Sequence, residues 1–185
     1  GTGISKIPGA FMIYDFFFRH FWPNQDIIEI QGSKMHININ DRDPNMRKTF
    51  QAYALNRIHE KATTELFKQA VKEGDTVVDL GANIGYFTLL AAKLVGEKGK
   101  VYSFEPEPKN YNYLLKNIEL NHIKDIVLAT EKAVSDKTGK TKLYICQHDT
   151  GHHTINQGEG IKNYKPNTGN EESFIEINTV RLDDF

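Results

Sequence analysis

Val77-Val78-Asp79-Leu80-Gly81-Ala82-Asn83-Ile84-Gly85 decides the fold of this 185-residue chain. Thr76 to Leu80 is a largely β-branched run that stops at Gly81, the pattern of a parallel strand buried on both faces. Tyr86 to Val95 then places Phe87, Leu90, Ala91, Leu94 and Val95 on one broad helical face, closed by Gly96. Lys100 to Phe104 reads as a second strand. Pro108 opens a second helix with Tyr111, Leu114, Leu115 and Ile118 facing inward, and Asn121 is expected to end it as a left-handed cap. Asp125 to Ala129 reads as a third strand. Strands and helices alternating at this spacing form right-handed βαβ units, so the expected fold is α/β, a Rossmann-like parallel sheet with crossover helices.

On the N-terminal side, Leu55, Ile58, Ala62, Leu66 and Ala70 recur at helical spacing up to Gly74 and predict an amphipathic helix leading into the sheet. Ile27 to Ile39 alternates around Gly32-Ser33 and predicts a hairpin, broken at Asp41 to Pro44. Ala10 to Trp22 is rich in Phe but carries Asp15, Arg19 and His20, and falls short of the roughly 20 apolar residues of a spanning helix. It reads as a terminal helix packing on the core or on a partner. Residues 1–54 are therefore expected to form a helix-plus-hairpin extension, and residues 55–185 a nucleotide-binding domain. On the C-terminal side, Thr141 to Cys146 and Phe174 to Leu182 read as strands. Between them Thr150 to Asn170 is dense in Gly and Asn, a loop length usually reserved for function.

Composition narrows the function. With 23 basic against 24 acidic residues the formal charge is −1, which supplies no global field for a phosphate backbone, so no nucleic-acid partner is expected. One cysteine, Cys146, excludes an intramolecular disulfide and fits a reducing compartment, here expected to be cytoplasmic. A basic leader with a small-residue cleavage site is absent from the opening residues.

The chemistry concentrates at the ends of the first two parallel strands. Asp79 is delivered at the tip of a buried strand, and the small residues after it let the backbone approach a ligand before the helix begins. Glu105 follows the second strand, 24 residues beyond Gly81, near the spacing at which an acid pairs with ribose hydroxyls. Together they describe an adenosine-containing cofactor. A dinucleotide wants G-x-G-x-x-G for its pyrophosphate, whereas the turn here is G-x-x-x-G with Ala82 and Asn83 between. The Asp79 charge would repel a pyrophosphate and favour an ammonium or a sulfonium, and S-adenosyl-L-methionine carries both. Glu105→Ala is accordingly expected to weaken cofactor binding by about 1.5–3 kcal/mol with the fold intact. A nicotinamide-dependent oxidoreductase and a non-catalytic nucleotide-binding fragment are the competing readings.

Asp79-Leu80-Gly81-Ala82-Asn83-Ile84-Gly85, Phe104-Glu105-Pro106, Asn117 and Asn121, Ala133-Val134-Ser135-Asp136 and Leu182-Asp183-Asp184-Phe185 together resemble the FkbM family of S-adenosylmethionine-dependent methyltransferases, from about His59 onward. The resemblance implies a class I, Rossmann-like methyltransferase acting on a hydroxyl of a sugar, glycolipid or other small molecule. It carries a cofactor role to Asp79, Gly81, Ala82, Asn83 and Gly85 at the methionine end. Glu105, with Pro106, would serve the ribose, Glu131, Lys132 and Ala133 the adenine edge, and Glu60 and Thr63 a helix start closing over the methionine moiety. Family members continue beyond L-D-D-F into further strands, so the chain, which also opens Gly1-Thr2-Gly3 without Met, reads as an excerpt incomplete at its C-terminus. The first strand would then be an open edge, a route to homo-oligomers.

Methyl transfer from a sulfonium depends on positioning, with a base when the acceptor is an unactivated hydroxyl. Candidate bases cluster in the Gly-rich loop at His148, Asp149, His152 and His153, with His152 the first choice. Neither these nor Glu159 has the tight paired spacing of a zinc site, so no metal is expected.

Overall fold

The computed structural model describes residues 10–21, 26–42, 44–55, 58–145, 153–155 and 174–185. Its centre is the predicted parallel sheet. β3 (Thr76–Leu80), β4 (Lys100–Phe104) and β5 (Val127–Thr130) lie in the order β3-β4-β5, both pairings parallel, with Leu80 opposite Phe104 and Phe104 opposite Thr130. The crossovers are α4 (Tyr86–Val95) and α5 (Pro108–Leu120). Ala91, Ala92 and Val95 of α4, Val101 and Val127 of the sheet, and Leu114 and Ile118 of α5 form one buried cluster. β3 is an edge strand among the described residues.

Among the described residues β3 is covered on one face: Leu80 is 54% and Leu128 of β5 is 52% exposed, and Val78 is exposed with them. Alternation explains which residues are affected. Val77, Val101 and Val127 pack in the cluster with α4 and α5, whereas residues one position on point the other way. Among the described residues the ring of Phe185 covers part of that second face, lying 5.7 Å from Tyr102 and 4.9 Å from Phe104.

The N-terminal elements are α1 (Ala10–Phe21), the antiparallel pair β1 (Ile27–Ile30) and β2 (Ser33–His36), and α2 (Pro44–Ala54). The hairpin turns on Gln31 (φ 53°) and Gly32 (φ 74°), one residue before the predicted Gly32-Ser33; two positive φ values suit a two-residue hairpin turn. α2 is absent from the sequence reading, which took Pro44 as a breaker. Pro44 is instead its first residue, where the missing N–H costs nothing, and Met46, Phe50 and Tyr53 on one face are buried. The helix predicted from Leu55 begins only at Lys61, as α3 (Lys61–Ala70), because Glu60 takes a left-handed conformation at φ 42°. Phe18, Ile30, Met35, Ile37, Ile39, Met46, Phe50 and Tyr53 share a core with Ile84, Tyr86 and Leu89. The N-terminal elements are thus packed directly onto the turn and helix that follow β3.

Two asparagines fasten that packing. Asn117 Oδ1 accepts from the His36 N–H at 2.7 Å while its Nδ2 donates to the Ile84 carbonyl at 2.7 Å. Asn121 Oδ1 accepts from the Lys34 N–H and its Nδ2 donates to the Lys34 carbonyl. The left-handed residue after α5 is His122 (φ 55°), not Asn121 (φ −98°), whose side chain is engaged with β2. A second sheet, ordered β6-β8-β7, joins β6 (Ala133–Val134) parallel and β7 (Gly139–Tyr144) antiparallel to β8 (Phe174–Val180). Among the described residues no helix is long and apolar enough to cross a membrane.

Candidate cofactor site

The parallel register places Asp79, the turn 81–85 and Glu105 at one end of two adjacent strands. Asp79 lies beside Ser103, and Glu105 continues from Phe104, the partner of Leu80. The turn is held from β4: the Phe104 carbonyl accepts from the N–H groups of both Gly81 and Ala82 at 2.9 Å. Gly81 (φ 83°), Asn83 (φ 51°) and Gly85 (φ 101°) are all left-handed. Their reasons differ. A Cβ on Gly85 would stand 2.8 Å from Leu114 Cδ1, whereas a Cβ on Gly81 would meet nothing within 4 Å. Gly85 therefore serves helix packing, and Gly81 leaves open space beside the strand tips.

Glu105 is more deeply engaged than its sequence role requires. At 5% exposure it is buried, and its Oε2 accepts from the Asn83 N–H at 2.7 Å and its Oε1 from the Glu107 N–H at 2.9 Å. The Asn110 side chain supplies a third hydrogen bond. Together they engage most of the roughly four acceptor positions of a carboxylate. Burial pushes the Glu105 carboxyl above the usual glutamate range, and these three hydrogen bonds oppose the rise. Glu107 in turn caps α5, accepting from the Asn110 N–H at 2.6 Å. Pro106, between them, is half-buried.

Asp79 points toward α4. Its Oδ2 accepts from Thr88 Oγ1 at 2.6 Å, and Thr88 Oγ1 lies 2.9 Å from Ser103 Oγ. Burial raises the Asp79 pKa and the Thr88 bond lowers it. Asp79 also lines an open cleft with Thr63 and Phe67 of α3, Val77, Val78 and Phe87. The structure thus brings Thr63 to the cleft. Glu60 stands exposed at the start of α3 with its Oε1 3.6 Å from His59 Nε2. An aromatic wall of Phe67, Phe87, His59 and Tyr86, with centroids 5.2–6.1 Å apart in successive pairs, backs this side.

The remaining predicted residues are placed less directly. Glu131 is exposed and Lys132 half-buried just past β5, at the same end of the sheet as Leu80 and Phe104. Ala133 belongs to β6 and packs with Leu143 and Ile177, so its side chain serves the second sheet. His148, Asp149, His152 and Glu159 lie outside the described residues; His153 is half-buried beside Thr154, which bridges to Tyr144. Thr88, Ser103 and Asn110 were missed by sequence reasoning. Their signal was available: polar residues at positions that the helical and strand periods assign to the buried side.

A parallel β-α-β-α-β core with a left-handed turn after its first strand, an acid at that strand's tip and a second acid after the next define a class I, Rossmann-like methyltransferase domain. S-adenosyl-L-methionine is the cofactor of that class, and the open space at Gly81, the Glu105 carboxylate after β4 and the Asp79 carboxylate at the cleft are compatible with it. Residues 49–153 match the family model of the TRM5/TYW2 methyltransferase domain, and the chain belongs to that family. The class read from the sequence is borne out; the family shown is TRM5/TYW2 and not FkbM specifically.

Among curated relatives, a tRNA(Phe) (4-demethylwyosine(37)-C(7)) aminocarboxypropyltransferase of Methanocaldococcus jannaschii is 44% identical over 55 residues, covering 30% of this chain and 22% of that protein. Methyltransferase sdnD of Sordaria araneosa is 33% identical over 89 residues, covering 48% and 34%. Among solved structures, M. jannaschii TYW2 in complex with AdoMet aligns with a TM-score of 0.41 at 21% identity, over 61% of this chain and 51% of that one. The chain thus spans about a third or less of the two curated relatives.

Proposed function

We propose that the protein transfers the methyl group of S-adenosyl-L-methionine to a hydroxyl of a sugar, glycolipid or other small molecule, with this chain supplying the cofactor half of the site. One observation carries the reading: Asp79 and Glu105 stand at the same end of adjacent parallel strands, joined by the turn that Glu105 itself holds. The negative Asp79 suits the cationic methionine end, Gly81 leaves room for the ligand, and a carboxylate at the position of Glu105 suits a ribose hydroxyl. Displacement at the sulfonium then needs the acceptor oxygen aligned with the methyl carbon and its proton removed. His152 is the proposed base, and Glu60, Thr63, Glu131 and Lys132 are proposed cofactor neighbours.

The small-molecule acceptor rests on a charge balance of 23 basic to 24 acidic residues, which supplies no global field for a phosphate backbone. A tRNA acceptor is the second reading, favoured by the TRM5/TYW2 family match and by the relative named for tRNA(Phe). Both are tested by incubating the full-length protein with methyl-labelled S-adenosylmethionine and either a hydroxyl-bearing glycan and small-molecule panel or bulk tRNA. Label in the glycan or small-molecule fraction supports the first reading, and label in tRNA replaces it with the second. Failure of the protein to bind S-adenosylhomocysteine overturns both.

A further inference from the structure

We propose that Thr88 and Ser103 are positioning residues for the cofactor: two buried hydroxyls that fix the Asp79 carboxylate by one oxygen and leave the other to receive the cationic methionine end. The inference rests on the cofactor reading above and deepens it. Both hydroxyls are fully buried, in an α4 face and a β4 face otherwise packed with apolar side chains. Such groups are kept in a core only when their hydrogen bonds matter, because burying them unpaired is costly. Here they form a chain, Ser103 Oγ to Thr88 Oγ1 at 2.9 Å and Thr88 Oγ1 donating to Asp79 Oδ2 at 2.6 Å.

That chain ends at a residue lining the cleft, and Asp79 Oδ1 has no hydrogen-bond partner among the described residues. The geometry assigns the two oxygens different tasks. Oδ2 is anchored by the hydroxyl relay, which cancels part of the cost of burying the charge, and Oδ1 is available to an ammonium or sulfonium. The side chains facing Asp79 are Thr63 and Phe67 of α3, Phe87 and Thr88 of α4, and Ser103 of β4. None is charged, so Thr88 is the group that opposes the effect of burial. The relay therefore orients Asp79 and lowers its pKa against the larger rise that burial causes.

The test titrates the full chain and its Thr88→Val, Thr88→Ser and Ser103→Ala variants with S-adenosylhomocysteine, which carries the ammonium, and with 5′-methylthioadenosine, which lacks the amino-acid end. Thr88→Val is expected to weaken S-adenosylhomocysteine binding roughly tenfold, to leave 5′-methylthioadenosine unchanged and to move the acid limb of the binding profile to higher pH. Thr88→Ser is expected to restore all three, and Ser103→Ala to give a smaller loss in the same direction. The Asp79 carboxyl followed by NMR in the unliganded protein is expected to titrate higher in Thr88→Val, a readout that a merely structural role would not move. Thr88→Val binding like the wild type, equal loss of both ligands, or a Thr88→Ser variant no better than Thr88→Val would overturn the relay alone. No binding of either ligand by the wild type overturns the relay together with the cofactor reading.

Discussion

Removing the Glu105 side chain is expected to destabilise the fold as well as weaken binding. Glu105→Ala deletes the acceptor for the Asn83 N–H at 2.7 Å and for the Glu107 N–H at 2.9 Å, in a position only 5% exposed. Each orphaned donor costs about 1–3 kcal/mol. Part of this is offset because the buried carboxylate is itself penalised, as its raised pKa records. The net expectation is a loss of about 2–4 kcal/mol. Glu105→Gln keeps one carbonyl acceptor and should lose about 1–2 kcal/mol. Urea unfolding with an unchanged slope measures both, and S-adenosylhomocysteine titration below the transition then isolates the ribose contact. An alanine variant within about 0.5 kcal/mol of wild type would show that the two turns do not depend on this carboxylate, and would restore the expectation, drawn from sequence alone, of a change confined to binding.

Asp79→Asn is expected to trade binding for stability. The folded-state pKa of Asp79 is raised, chiefly by burial, so the folded protein binds more protons than the unfolded chain from the ordinary aspartate range upward, and stability falls as pH rises through that window. The asparagine variant should show a flatter stability profile, be more stable at neutral pH and bind S-adenosylhomocysteine more weakly; urea titrations across pH would contradict this if the variant were less stable with an unchanged slope. Gly85→Ala combines a left-handed φ with a 2.8 Å contact to Leu114 Cδ1 and should cost about 1–3 kcal/mol. Gly81→Ala meets no such contact and should cost only the backbone strain of about 1–2 kcal/mol, so thermal melts should rank Gly85→Ala as the worse or the packing distinction fails. Asn117→Ala orphans the His36 N–H and the Ile84 carbonyl and should cost about 2–4 kcal/mol; hydrogen exchange at the His36 amide, expected to accelerate, checks the local cause.

The central βαβαβ unit was legible because its signals are local. A β-branched run, a glycine and a 3.6-residue apolar stripe follow one another from Thr76 to Val95, and the observed strand and helix have the predicted bounds. α2 was hidden by Pro44, whose meaning depends on whether it starts or interrupts a helix, although Met46, Phe50 and Tyr53 already had helical spacing. Glu60 masked the start of α3 because a left-handed conformation at a glutamate leaves no trace in composition. At the site, Asp79 and Glu105 were found from their place after strands. Thr88, Ser103 and Asn110 were not, since their partners come from register and helix rotation rather than from sequence spacing. Which face of β3 α4 and α5 cover likewise follows from the register and not from the apolar run, in which Val78 and Leu80 look like Val77.

The shared core has a practical consequence for anyone cutting this protein down. The family match spans residues 49–153, yet Phe18, Ile30, Met35, Ile37, Ile39 and Met46 fill the space against Ile84, Tyr86 and Leu89. An excised 49–153 segment would carry the recognisable signature while stripping six of the apolar neighbours from those three side chains, and would lose β8 from the second sheet as well. The stretch that is easiest to recognise is therefore smaller than the stretch that has to be expressed.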